Sequence, residues 1–247
     1  MAQPPAARPP RQRAHPKPTK LFLGFRLFSD PKLSVSGKQT CTTCHVPSNA
    51  YASTDRLSVP LGGPGMNLPG LRNAPSLVYA SLTPPFSIVD GSAVGGFFRD
   101  GRASSLAAQA SQPFVTPFEM ANANATEVVA RLQGSPASLA QFVKVYGADA
   151  LNDPDVALQD MAQAIAAYET DDRDFHPFSS KFDFWLQGKA ESTAIEERGL
   201  KLFNDPTRGN CTACHPESAT RLQRASAVHR LLVRQHWHTA QLEDRGK

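Results

Sequence analysis

The chain has 247 residues, of which 40% are hydrophobic and 19% charged, with a formal net charge of +4. That length holds one or two domains, and the apolar fraction suffices for a packed core. No run of about 18 apolar residues occurs, so no membrane-spanning helix is expected, and the basic excess is too small to argue for a nucleic-acid partner.

In chain order, residues 1–20 are rich in Pro and Arg and read as a disordered, solvated tail. No apolar stretch follows Met1, so no signal peptide is expected there. Next comes Gly24-Phe25-Arg26-Leu27-Phe28-Ser29-Asp30-Pro31, and then Cys41-Thr42-Thr43-Cys44-His45. The same order returns late in the chain, as Gly199-Leu200-Lys201-Leu202-Phe203-Asn204-Asp205-Pro206 followed by Cys211-Thr212-Ala213-Cys214-His215. Each copy predicts a helix whose Leu and Phe share one face and which Asp-Pro ends, ahead of a C-x-x-C-H motif. That spacing is the mark of covalent c-type haem attachment, with two thiols for the vinyl groups and an imidazole for the iron. A zinc site and a redox dithiol are the competing readings. The wide separation of the pairs, the His at the same place in both and the use of all 4 cysteines favour two haems. Motif and context repeat together, which predicts two related haem domains.

Between the motifs, residues 58–100 are irregular and rich in Gly and Pro, a loop long enough to wrap a cofactor. Helices are expected from Ala103 to Gln112, from Ala125 to Leu132, and from Ser135-Pro136 to about Tyr146, where Gly147 closes the helix. Asp153-Pro154 opens another, with Val156, Leu158, Met161, Ile165 and Tyr168 as its core stripe. Residues 171–188 read as the connection, with His176 facing solvent, and Ser192 to Phe203 as a helix that Thr193 caps ahead of Glu196. The fold class is therefore mainly α, with two cytochrome c-like haem domains, one over residues 21–175 and a second over residues 176–247.

From Leu21 to His215 the chain resembles the bacterial di-haem cytochrome c peroxidases and their MauG-type relatives. The resemblance rests on the first haem motif with its lead, Leu71-Arg72-Asn73-Ala74-Pro75-Ser76-Leu77, Phe97-Phe98-Arg99-Asp100-Gly101-Arg102-Ala103, Gln109-Ala110, Pro117-Phe118-Glu119-Met120 and the second motif. It implies that His45 and His215 are proximal iron ligands, with Cys41, Cys44, Cys211 and Cys214 carrying the haems. It also implies a low-potential, peroxide-reducing first haem with Gln109 and Glu119 on its distal face, and a second haem that receives electrons. Asn73 would help hold a calcium ion between the domains. A periplasmic location, hydrogen peroxide as substrate, a cytochrome c or cupredoxin as donor and a homodimer follow from the same resemblance. Glu119 suits the chemistry, because cleaving a peroxide O–O bond needs a group that carries a proton from one oxygen to the other.

Three departures stand out. No His occurs between His45 and His176, so the first haem is expected to rest open on its distal side, with Met66 as a weak candidate ligand. Arg99 stands where the family usually has Trp. After His215 the family continuation is missing, yet synonymous codons from Ala227 onward, read one base later, permit L-F-T-D-F-S-Y-D-N-I-G-T-P-R-N, which is that continuation. A frameshift that truncates the second domain is the resulting expectation. The leading function is a di-haem peroxidase. A MauG-like oxidase of a protein substrate and a non-catalytic electron-transfer cytochrome are the alternatives.

Overall fold

The computed structural model of the chain describes residues 19–54, 57–89 and 91–213. The basic tail over residues 1–18, Cys214, His215 and the segment with the frameshift signature lie outside the described residues.

Helix α1 spans Lys20–Phe28, so the first helix claims the last residue assigned to the tail. Thr19 caps it, its hydroxyl accepting from the Phe22 N–H. The helix ends ahead of Asp30, whose carboxylate caps the 3-10 turn Pro31–Leu33. Asp30 also accepts from the hydroxyls of Ser135 and Ser138, which ties this corner to the start of a later helix. Helix α2 is the single turn Cys41–Cys44. Two antiparallel ribbons follow, β1 (Leu61–Gly62) with β2 (Leu68–Pro69) and β3 (Ser87–Val89) with β4 (Ser92–Val94). The remaining helices are α3 (Leu106–Val115), α4 (Ala125–Gln133), α5 (Pro136–Tyr146), α6 (Pro154–Asp171), α7 (Lys181–Leu186) and α8 (Ala194–Asn204).

Helix α6, with 18 residues and thus about 27 Å long, is the spine of the core. It packs against α1, α3 and α4. Its buried face carries Ala157, Leu158, Met161, Ala162, Ala164, Ile165 and Tyr168. The expected stripe is corrected at Val156, which is half exposed. Five residues before Met161, it lies about 140° round the helix from that face. The alanines let α1 come close. A Cβ built on Gly24 would stand 1.9 Å from the Ala164 carbonyl oxygen, so only glycine fits this crossing.

Helix α3 starts three residues later than expected, because Ser105 is its cap and accepts from the Ala108 N–H. Ala103 instead bridges to Phe97. Helix α5 ends at Gly147, which adopts φ 85, and α8 opens on the expected pairing of Thr193 with Glu196. Asn122, fully buried, holds the turn between α3 and α4. Its amide donates to the Leu33 and Phe114 carbonyls while its oxygen accepts from Arg131. His176 is not solvent-facing. It is half-buried, and its Nε2 pairs with the Ser81 hydroxyl at 2.5 Å.

The two copies of the repeat meet different surroundings. In the first, Leu27 and Phe28 are at most 1% exposed. In the second, Leu202 is 40% exposed, and among the described residues nothing lies within 4 Å of a Cβ built on Gly199.

Candidate active site

The first C-x-x-C-H folds as one helical turn because Thr40 and Thr43 close it, the Thr43 hydroxyl accepting from the Thr40 N–H. The His45 N–H donates to the Cys41 carbonyl at 2.8 Å. Two thiols and an imidazole thus share one wall. Ala50 and Tyr51 are both left-handed, with φ 51 and 55, and turn the chain back on itself. The Tyr51 carbonyl thereby accepts from His45 Nδ1–H at 2.9 Å. That bond fixes the tautomer: Nε2 keeps its lone pair and is the nitrogen able to bind a metal. The Tyr51 ring stacks on Phe175 at 4.2 Å and so anchors the turn in the core.

The wall belongs to a cavity of about 660 Å³, within the range of about 300–1,000 Å³ usual for small-molecule sites. Apolar side chains from distant elements line it, including Phe28, Leu77, Phe97, Leu106, Phe118 and Ile165. The long loop supplies much of the wall, from Pro60 and Leu61 and again from Gly70 to Leu77.

Glu119 and Gln109 both line this cavity. Gln109 comes from α3. Glu119 comes from the turn after it, where its N–H donates to Thr116 and its carbonyl accepts from Gly63. Burial pushes the Glu119 carboxyl above the ordinary carboxylate range, while Arg102 pulls it part of the way back. The structure therefore brings Cys41, Cys44, His45, Gln109 and Glu119 into one space.

Arg72, Arg99, Arg102 and Asp100 line the same cavity. Asp100 accepts from Arg72 at 3.1 Å and from Arg102 at 2.7 and 2.8 Å. Burial alone would raise the Asp100 carboxyl, but hydrogen bonds from the Arg102 backbone and guanidinium, with the Arg72 contact, hold it below the usual range. The Arg102 guanidinium lies 3.6 Å from the Phe98 ring centroid. Arg99 donates from Nε to the Asn73 carbonyl at 3.1 Å, and burial, then repulsion by Arg72, lowers its pKa.

Met66 sits at the tip of the β1–β2 hairpin, where its N–H donates to Gly63. It is not among the residues that line the cavity. Asn73 does line it, but its carbonyl is already paired with a guanidinium. Of the second motif, Cys211 is described. It opens a short turn, its Sγ 3.6 Å from the Gly209 carbonyl oxygen.

Sequence reasoning missed two buried polar groups of the wall. Gln39 is 3% exposed, and its Oε1 has no hydrogen-bond partner. Glu169, also 3% exposed, comes from the apolar face of α6. Its signal was an acidic residue four positions after Ile165, which places it on the same helical face. Burial pushes the Cys41 thiol well above the ordinary range, and Glu169, then Cys44 and Glu119, add to the shift.

The family model described as di-haem cytochrome c peroxidase matches residues 18–191. The methylamine utilization protein MauG of Paracoccus denitrificans (strain Pd 1222) is 40% identical over 198 residues, covering 78% of this chain and 50% of that protein. The cytochrome c peroxidase Ccp of Escherichia coli (strain K12) is 32% identical over 197 residues, covering 79% of this chain and 37% of its own length. Among solved structures, the diheme peroxidase BthA from Burkholderia thailandensis E264 superposes with a TM-score of 0.74 at 35% identity, covering 87% of this chain and 52% of that one. The chain thus spans about half the length, or less, of the curated relatives it matches. With its helical fold, and a C-x-x-C-H turn facing a cavity lined by Glu119, the chain belongs to the di-haem cytochrome c peroxidase family.

Proposed function

We propose that residues 21–175 form the peroxide-reducing half of a periplasmic c-type di-haem peroxidase. The observation that carries this reading is the meeting of Cys41, Cys44 and His45 with Glu119 and Gln109 around one cavity. The donor set fits a haem: two thiols one turn apart for covalent attachment, and an imidazole whose Nδ1 is committed to Tyr51, which leaves Nε2 for iron. When bound, that haem supplies an iron centre able to accept peroxide and pass electrons to it. Arg72, Arg99 and Arg102 would hold its propionates.

The chain's own residues do the rest. Glu119, with its affinity for a proton raised by burial, takes the proton from one peroxide oxygen and returns it to the other, so that water can leave. Gln109 orients the substrate by hydrogen bonding. The apolar wall keeps bulk water away from both. Electrons would come from a small donor protein through the second haem at Cys211, Cys214 and His215. Calcium at Asn73 is not needed for this chemistry, so the reading rests on haem alone.

The test is peroxide turnover by the holo-protein with a reduced cytochrome c as donor. Glu119→Gln is expected to lower the rate by about 10²–10⁴-fold with haem content unchanged. Normal turnover by that variant refutes the assignment.

A MauG-like oxidase is the second reading, and a specific observation favours it. The sequence has no His between His45 and His176, and His45 is the histidine in the cavity wall among the described residues. A peroxide-oxidised state that persists for minutes without an external donor would select this reading over the peroxidase.

A further inference from the structure

One feature of the cavity is unexplained by attachment, proton transfer or packing: a carboxylate on the core face of α6. Glu169 is 3% exposed and lines the cavity together with Ile165, one turn before it, Phe28 and Cys41. Burying a carboxylate in an apolar wall is costly, and the rest of this face is built from Ala, Ile, Leu, Met and Tyr. Its wall is also that of the attachment point, since Cys41 and Cys44 line the same cavity.

We propose that Glu169 sets the reduction potential of the first haem: in the wall it shares with Cys41, its ionised carboxylate favours the oxidised ring and holds this haem at low potential. The inference rests on the haem reading above. The physical reason is that ferric haem carries one more positive charge than ferrous haem. A nearby anion in a poorly screening wall therefore stabilises the ferric state more than the ferrous. Net charge and burial are among the levers by which a protein tunes such a centre.

The test is an optical redox titration of the holo-protein at neutral pH, with the first haem tracked through its perturbation by cyanide. Glu169→Gln keeps the shape and removes the charge. It is expected to shift the first potential upward and leave the second in place. Glu169→Asp keeps the charge and is expected to stay near the native value. Glu169→Asn, compared with Glu169→Asp, repeats the test at a shorter side-chain length should Glu169→Gln fold poorly. An unchanged first potential in folded, haem-loaded Gln or Asn variants overturns the proposal, as does a loss of melting temperature with no change in potential. If the native chain matures without haem on Cys41 and Cys44, the haem reading itself fails, which is a distinguishable result.

Discussion

The α1–α6 crossing controls both the stability of the core and the width of the cavity, so Gly24→Ala is an informative perturbation. The added Cβ would lie 1.9 Å from the Ala164 oxygen, 2.6 Å from its carbon and 2.8 Å from Tyr168 Cβ. An ordinary C···O contact is about 3.3 Å, so α1 must move away from α6 by about 1.4 Å or tilt. The obstacle is backbone and cannot rotate aside. Overpacking of this kind costs about 3 kcal/mol at the upper end of its usual range, and alanine returns about 1 kcal/mol of helix propensity. The expected net loss is about 2 kcal/mol, or about 4–8 °C in melting temperature for a chain of this size. Because Phe28 on α1 and Ile165 and Glu169 on α6 line one cavity, the haem absorption band should broaden as well. Gly199→Ala is the internal control. Among the described residues nothing lies near its Cβ, so the expected change is neutral or a gain of up to about 1 kcal/mol. Thermal and denaturant unfolding of both variants decides the matter. A Gly24→Ala protein as stable as its Gly199→Ala counterpart would refute the claimed close packing.

Other outcomes follow from single groups. Asn122→Leu removes one donor to two carbonyls and the acceptor of Arg131 in a fully buried turn, and is expected to cost about 2–4 kcal/mol by denaturant titration. Glu119 has a folded pKa raised above its ordinary value of 4.5. Its contribution to stability is therefore full below that value and is lost as pH rises through the raised one. Glu119→Gln should accordingly match the native apo-protein in acid and become the more stable of the two toward neutral pH, and a constant difference across pH would contradict this. The Cys41 thiol, pushed up by burial and by Glu169, should resist alkylation by iodoacetamide in the folded apo-protein at neutral pH and react after unfolding, as mass spectrometry of the labelled peptide would show.

Local signals were legible because they act over a few residues. Asp-Pro, Thr193 with Glu196, Ser135-Pro136 and Gly147 each set a backbone conformation by their own chemistry, and the helices begin or end beside them. The C-x-x-C-H turn is equally local, and the repeat around it was visible as sequence. Glu119 and Gln109 could be nominated from the resemblance, but the sequence holds no measure of their distance from Cys41. The folded chain unites them because the Glu119 carbonyl is tied to Gly63 and α3 is laid along α6.

What the sequence by itself determined is the helical periodicity, the caps and the chemistry available at each motif. Only the tertiary structure decided which side of each helix counts. It turned Val156 outward and Glu169 inward, although both lie on α6. It brought the Tyr51 carbonyl to His45 through two left-handed residues that no side chain advertises. It also gave two repeats of one sequence pattern opposite fates, Gly24 pressed against Ala164 and Gly199 open among the described residues. The reason is physical: helix propensity and capping act along the chain, whereas burial and electrostatic environment depend on neighbours that the fold brings from far away in sequence.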